Sequence, residues 1–288
     1  MSRCCPSKTY SYFSDLLFIS FYRIRLLPTY PALSFIGELS GGSTRPWAVV
    51  VLGTGNKPQK YAVKLFRDYH LSQYPAIANE VFGAVLAEEF DLLSPTLALI
   101  EFTPAFLSTL ATTQLEQLRT VPAGPKIGSL FLEGSYTFSP SLTAKALESY
   151  DQETIYAFDN LILNVDRRPD KPNILLSGPE AYLIDHEMSF TVATSTLEQL
   201  NDQRWEHNYR GHLFYSYLRA RGANRINSSF HTFSQYLRSI APGRLVPYQR
   251  QLEDLGYGSP AFDVLFRYLC YQKANSSQFE ELLRKTLL

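Results

Sequence analysis

The stretch from Asn164 to His186 restricts the fold of this chain more than any other. It opens with Asn164-Val-Asp166-Arg-Arg-Pro-Asp-Lys-Pro-Asn173, a polar loop stiffened by two prolines. Two short apolar runs follow, residues 173–176 and 182–185, separated by Ser-Gly-Pro-Glu. Apolar runs around a Gly/Pro-bearing turn predict a β-hairpin. Such a hairpin holds Asp166 and Asn173 ahead of its first strand and delivers Asp185 at the end of its return strand. Two carboxylates and an amide oxygen on a rigid frame suit Mg²⁺-assisted phosphoryl transfer. One carboxylate accepts a hydroxyl proton, while the amide oxygen and the other carboxylate hold the metal on the phosphates. By themselves the same residues also read as a polar loop whose Asp and Asn cap turns.

Upstream, residues 34–66 are strand-like, with runs at 35–39, 47–52 and 60–66 that predict a small antiparallel meander. Alternate side chains of a strand share a face, so in Tyr61-Ala62-Val63-Lys64 the small Ala62 and the cationic Lys64 point the same way. That pairing suits a nucleotide, with Ala62 leaving room for a base and Lys64 reaching phosphate. A solvated lysine is the plainer reading of the tetrapeptide alone. Pro75 opens a helical run to residue 90 with apolar residues at Ile77, Val81 and Val85. Within it Glu80 lies among Ala78, Gly83, Ala84 and Ala87, where a carboxylate needs a partner unless it is exposed. Lys64 is that partner if the helix packs on the strand. Gly41-Gly42-Ser43-Thr44, between two predicted strands, offers backbone N–H groups and hydroxyls to phosphate, although it is neither a Walker A loop nor a GxGxxG. A β-rich stretch at 96–102 ends at Thr103-Pro104, where the lobe boundary is expected. Helices are predicted at 106–119, at 152–163 and through most of the remainder, with Ser277-Gln-Phe-Glu280 as a capping box.

Composition excludes several classes of protein. The 288 residues are 45% hydrophobic and 19% charged, enough for a packed core and unlike a disordered chain. Lysine plus arginine equals aspartate plus glutamate at 27 each, so no bulk charge draws the chain to nucleic acid or an anionic membrane. Cys4, Cys5 and Cys270 form no CxxC and no disulfide framework, which points to a reducing, cytoplasmic setting. The apolar run at 13–27 contains Asp15, Arg23 and Arg25, is too short to span a bilayer and lacks the order of a signal peptide, so it reads as extra sequence before the domain. The five histidines form no HExxH, and there is no GxSxG elbow, which argues against zinc-enzyme and serine-hydrolase chemistry.

YAVKLF, NEVFGAVLAEEFDLLSPTLALIEF, FDNLILNVDRRPDKPNILL and AYLIDHEMSF resemble the stand-alone HipA-like kinases, and more distantly the phosphatidylinositol kinases. The resemblance runs from about residue 27, where RLLPTY and GGSTRPW also fit, to about residue 190; beyond that it is only helical character. It implies a bilobal α+β protein-kinase-like fold. Residues 27–102 would form a small antiparallel-sheet lobe with one helix, and 103–288 a mainly helical lobe carrying the catalytic loop 164–176 and Asp185. Residues 1–26 would lie outside the core. The resemblance further implies Asp166 as catalytic base and Asn173 and Asp185 as ligands of Mg²⁺. For ATP it implies Lys64 and Glu80 as the phosphate-anchoring pair and Gly41, Gly42 and Ser43 as the phosphate loop. Ala62, and Glu101 and Phe102 at the lobe boundary, complete the nucleotide contacts. The expected acceptor is a protein serine or threonine hydroxyl. A small-molecule or lipid kinase and a non-catalytic nucleotide-binding adaptor stay open as alternatives. No direct nucleic-acid or membrane partner is expected, and an antitoxin-type partner is not readable. Two departures mark the chain. Asp166 to Asn173 is two residues longer than the protein-kinase spacing, with Lys171 in the asparagine's place, and His186 stands where a DFG motif has phenylalanine.

Overall fold

The computed structural model describes residues 26–288 except 41–44, 140, 141, 143, 192 and 202–208. The segment before residue 26 and the expected phosphate-loop residues Gly41, Gly42 and Ser43 lie outside the described residues.

Five strands close into a barrel: β1 (Thr29–Glu38), β2 (Trp47–Leu52), β3 (Pro58–Val63), β4 (Leu97–Glu101) and β5 (Lys126–Leu130), in the order β1-β2-β3-β5-β4. Strand alternation builds its interior. Trp47, Val49 and Val51 of β2, Tyr61 and Val63 of β3, and Ala98 and Ile100 of β4 form one apolar core with Phe106. Closure depends on β1, which pairs antiparallel with β2 from Ala32 onward and parallel with β4 through Thr29, Tyr30 and Pro31. Register shifts between Ala32 and Ser34 and between Phe35 and Gly37 bend it from one partner to the other. On β5 the barrel is too tight for a side chain at Gly128, where a Cβ would lie 2.8 Å from Cγ1 of Ile100.

Two expectations are corrected by this topology. The meander is a closed barrel with one parallel pair, not an open antiparallel sheet. The strand-rich part also does not stop at Phe102. Helices α3 (Pro104–Leu107) and α4 (Thr112–Leu118) are an excursion, after which β5 returns to pair with both β3 and β4. The chain therefore leaves the barrel after Leu130, and the helices that suggested a lobe boundary are an insertion between paired strands.

Before that excursion come α1 (Asp68–Gln73) and α2 (Ala76–Glu88). All of α2 from Ala76 to Ala87 is buried, and apart from Asn79 and Glu80 its residues there are apolar or small on every face. Its Val81, Phe82 and Val85 share a core with Leu97, Leu99 and Ile127, the outward-facing residues of the barrel. Beyond the barrel, β6 (Tyr136–Thr137), β7 (Ile174–Ser177) and β8 (Glu180–Leu183) form a second small sheet, and β7-β8 is the predicted hairpin. Leu183 N donates to Leu93 O at 2.8 Å, tying β8 to the segment that follows α2. The remaining helices are α5 (Ala144–Leu147), α6 (Gln152–Leu161), α7 (Ala193–Asn201), α8 (Tyr215–Arg219), α9 (Ala223–Ile226), α10 (His231–Ser239), α11 (Val246–Asp254), α12 (Phe262–Ala274) and α13 (Ser276–Leu287). The α+β composition expected from the sequence is present. The capping box is not: α13 begins at Ser276, so Ser277 lies inside the first turn, and Glu280 pairs with Arg284 instead. Among the described residues no helix is long and apolar enough to cross a membrane.

Candidate active site

Because β3 sends Tyr61 and Val63 into the barrel, Ala62 and Lys64 take the opposite face. The Lys64 ammonium donates to Glu80 Oε2 of α2 at 2.8 Å, to Asp185 Oδ1 at 2.6 Å and to Glu187 Oε2 at 3.2 Å. Glu80 Oε2 also accepts from the His186 N–H at 2.7 Å, and Asn79 Nδ2 donates to the Glu187 carbonyl at 3.0 Å. One turn of α2 thus grips the segment after β8 at two points. The close approach needs Gly83, where a Cβ would lie 2.5 Å from Cβ of His186.

Electrostatics follow from this crowding. Burial works against the Lys64 charge, but Asp185, Glu80 and Glu187 hold its pKa well above the ordinary lysine range. Burial likewise opposes the Asp185 charge, yet Lys64 and Lys171 keep its carboxyl well below the usual carboxylate range. Burial pushes the Glu187 carboxyl up to about 7, with the charges of Asp185 and Glu80 adding to the effect against the pull of Lys64. His186 is buried with its pKa lowered to about 4, chiefly by loss of water, so the ring is neutral at pH 7.

The loop carrying Asp166 is set by a buried network that begins on α6. Asp159, fully buried, accepts from Arg167 Nε at 2.6 Å, from Asn164 Nδ2 at 3.1 Å and from His212 Nε2 at 2.9 Å. The Phe214 N–H donates to His212 Nδ1 at 3.1 Å, which places the proton of a neutral ring on Nε2. Burial would raise the Asp159 pKa, but Arg167 and His212 hold it down to about 2. Asn164 Oδ1 in turn accepts the Asp166 N–H at 3.0 Å, and the Arg167 guanidinium holds the Asn173 carbonyl. Both ends of the loop are therefore fixed to one carboxylate. Asn173 and Asp185 have φ of 50° and 65°, in the left-handed region that Asn and Asp tolerate better than most residues. The Ile184 N–H donates to Asn173 O at 3.1 Å, which keeps these two residues side by side. Asn173 Nδ2 approaches Asp166 Oδ2 at 3.4 Å, and the Lys171 ammonium binds Asp166 Oδ2 and, at 3.0 Å, Asp185 Oδ2.

This donor set fits a hard divalent cation and a polyphosphate. Two ammonium groups already sit on the oxygens of Asp185 as stand-in cations, and Asn173 spends its N–H on Asp166, leaving an amide oxygen. Among the described residues no group of three or more His, Cys, Asp or Glu side chains is arranged to hold a metal alone. Mg²⁺ takes one or two protein oxygens together with phosphates and water, and one carboxylate and one amide oxygen are what Asp185 and Asn173 offer.

The structure brings together Lys64, Glu80, Asp166, Asn173 and Asp185, with Ala62 on the same strand face. It does not bring in Glu101 and Phe102. Glu101 is an exposed strand end opposite Pro31, and Phe102 stacks on Trp47, ring centroids 5.9 Å apart, as part of the barrel core. Antiparallel pairing places the end of β4 beside Lys126, at the start of β5, whereas the chain crosses out of the barrel from the other end of β5, over residues 131–135. That crossing, the Glu187 carboxylate, and the Asp159–Arg167–His212 network were missed by sequence reasoning. The first carried a signal in the apolar residues around Glu133-Gly134; the other two carried none.

A family model described as HipA-like kinase matches residues 33–251, which takes the similarity well into the helical part that the sequence reading left unmatched. No curated protein matched the chain. Among solved structures, the chain is similar to that of a Helicobacter pylori proinflammatory kinase, CtkA, at 10% identity and a TM-score of 0.47, covering 91% of this chain and 98% of that one. It is also similar to the FAT and kinase domain of CtTel1, at 15% identity and a TM-score of 0.30, covering 89% of this chain and 23% of that one.

Proposed function

The chain belongs to the HipA-like kinase family, and from that premise we propose that it is an ATP- and Mg²⁺-dependent phosphotransferase acting on a protein serine or threonine hydroxyl. One observation carries the reading. Three separate segments meet at a single ammonium: Lys64 after β3, Glu80 on α2 and Asp185 after β8, the latter two within 2.8 Å of Nζ.

Lys64, oriented by Glu80, binds the α- and β-phosphates. Asp185 and the amide oxygen of Asn173 would hold Mg²⁺, which when bound would neutralise charge on the phosphates. Asp166 accepts the proton of the acceptor hydroxyl, and the Asn164 side chain, bonded to the Asp166 backbone, keeps that carboxylate oriented. The adenine would lie beside Ala62, near Ser129 and Leu130, which pair with Ala62 and Tyr61 across β3 and β5, and beside the crossing at 131–135. A protein acceptor rests on family membership alone.

The test is transfer of label from γ-³²P-ATP to a cell lysate. The wild-type chain should label discrete protein bands that vanish with Asp166→Asn. Label in lipid or small molecules alone moves the acceptor to another class, and no transfer at all sinks the enzymatic reading.

A further inference from the structure

The loop from Asp166 to Asn173 carries three cations, and each goes a different way. Arg167 is fully buried against Asp159. Arg168 pairs with Asp170 near the surface, with Nε and Nη2 at 3.2 and 3.1 Å from its oxygens. Lys171 turns to the catalytic carboxylates, and its ammonium contacts both Asp166 Oδ2 and Asp185 Oδ2. Arg168 and Lys171 form a β-bridge, with N–H to carbonyl bonds of 3.0 and 3.1 Å in the two directions, and Pro172 follows directly. The resulting closed turn holds the two residues opposite each other, and their side chains part according to the carboxylates each one reaches.

Nothing in the proposed chemistry has yet used this lysine. Among the described residues it alone bridges the candidate base and the candidate metal ligand, since Lys64 reaches only Asp185 of the two. Protein-kinase sites of this general design carry two divalent cations between such an aspartate and an asparagine. Here Asp185 offers Oδ1 to Lys64 and Oδ2 to Lys171. When phosphates engage Lys64, Oδ1 becomes free for a metal, while Oδ2 keeps its ammonium. One carboxylate oxygen is then open for one divalent ion. A second, between Asp185 Oδ2 and Asn173, would meet the Lys171 ammonium already on Oδ2 at 3.0 Å, in a half-dehydrated cleft where like charges repel strongly.

We propose that the Lys171 ammonium replaces one divalent cation of this site, as a tethered cation bridging Asp166 and Asp185, so that the chain works with a single Mg²⁺. This rests on the phosphotransferase reading above. Lys171 is then a residue that faces the transferred phosphoryl group, and its charge stands in for a metal that other sites recruit from solution.

Manganese bound to the full chain, counted by electron paramagnetic resonance at saturating AMP-PNP after correction for the free Mn²⁺–nucleotide complex, tests this without any turnover. The wild type should hold one Mn²⁺ per chain, and so should Lys171→Arg, which keeps the charge. Lys171→Asn removes the charge, adds an oxygen donor and should hold two. Two Mn²⁺ in the wild type overturns the tethered-cation role while leaving the kinase reading intact. One Mn²⁺ in a folded Lys171→Asn overturns it as well. Failure of the wild type to bind AMP-PNP under any metal condition removes both readings. The wild-type count decides the matter even if Lys171→Asn does not fold.

Discussion

Gly83→Ala tests whether the contact between α2 and the segment after β8 is as close as its geometry requires. A Cβ on residue 83 would lie 2.5 Å from Cβ and 2.6 Å from Cγ of His186. Carbon atoms in contact sit roughly 3.5–4.0 Å apart, so the overlap is about 1 Å. No rotamer change relieves it, because the position of a Cβ is set by its backbone. The His186 backbone is itself held by its N–H bond to Glu80, 2.7 Å long. Either α2 or the 185–187 segment must move. Overpacking where the backbone has to yield costs about 3 kcal/mol, the upper part of the usual range. Alanine in place of glycine within a helix returns about 1 kcal/mol. The net loss is about 2 kcal/mol, which in a chain of this size lowers Tm by roughly 5 °C. The same movement separates Glu80 from Lys64, so the stabilisation by Mg·ATP should shrink as well. Thermal melts with and without nucleotide measure both effects. If Gly83→Ala melts at or above the wild-type temperature with an undiminished nucleotide shift, the close-contact argument fails.

Asp159→Asn leaves Arg167 without its charged partner in the core, and should cost about 3 kcal/mol at pH 7 by urea unfolding. The folded pKa of Asp159 is depressed from 3.8 to about 2, so its stabilisation is complete above about pH 4 and is lost as pH falls toward 2. About 2 kcal/mol of the difference between wild type and variant should therefore disappear across that window, and a gap that is constant with pH would contradict the assignment. Asp166→Asn should abolish phosphotransfer while leaving Mg·ATP affinity within a few-fold, because a base acts only when the acceptor hydroxyl loses its proton. Asp185→Asn should weaken Mg²⁺-dependent nucleotide binding as well as turnover, and calorimetric titration of nucleotide with and without Mg²⁺ separates the two.

The fold was legible where local pattern decides structure. Strand-like runs marked β2 and β3, a proline followed by apolar residues at helical spacing marked α2, and a turn between apolar runs marked the β7-β8 hairpin. It was illegible where closure depends on distant partners. Nothing local in β1 says that Thr29 to Pro31 pair parallel with β4 while the rest pairs antiparallel with β2. Thr103-Pro104 looked like a boundary because it starts a helix. It does start one, with Thr103 Oγ1 accepting the Phe106 N–H at 3.2 Å, but that helix packs its Phe106 into the barrel core and the chain returns as β5. Glu101 and Phe102 were assigned to the nucleotide on the strength of that misplaced crossing.

In the site, the legible residues are those whose chemistry is unusual for their local setting: Lys64 on a strand beside a small residue, Glu80 on an apolar helix, Asp185 closing a hairpin. Each has an unmet electrostatic need, and the need of one is met by another. Glu187 and Asp159 gave no such signal, since a carboxylate in a mixed segment reads as solvated until its surroundings are known. Glu187 is buried because Asn79 draws its backbone onto α2, and Asp159 because α6 is covered on every side, with His212 arriving from a position 53 residues later. Lys171 belongs to an intermediate case. Its place two residues before Asn173 was visible as a departure from the protein-kinase spacing, and only the structure shows why it is not a surface charge: its ammonium lies between the carboxylates of Asp166 and Asp185, which come from segments on either side of the hairpin.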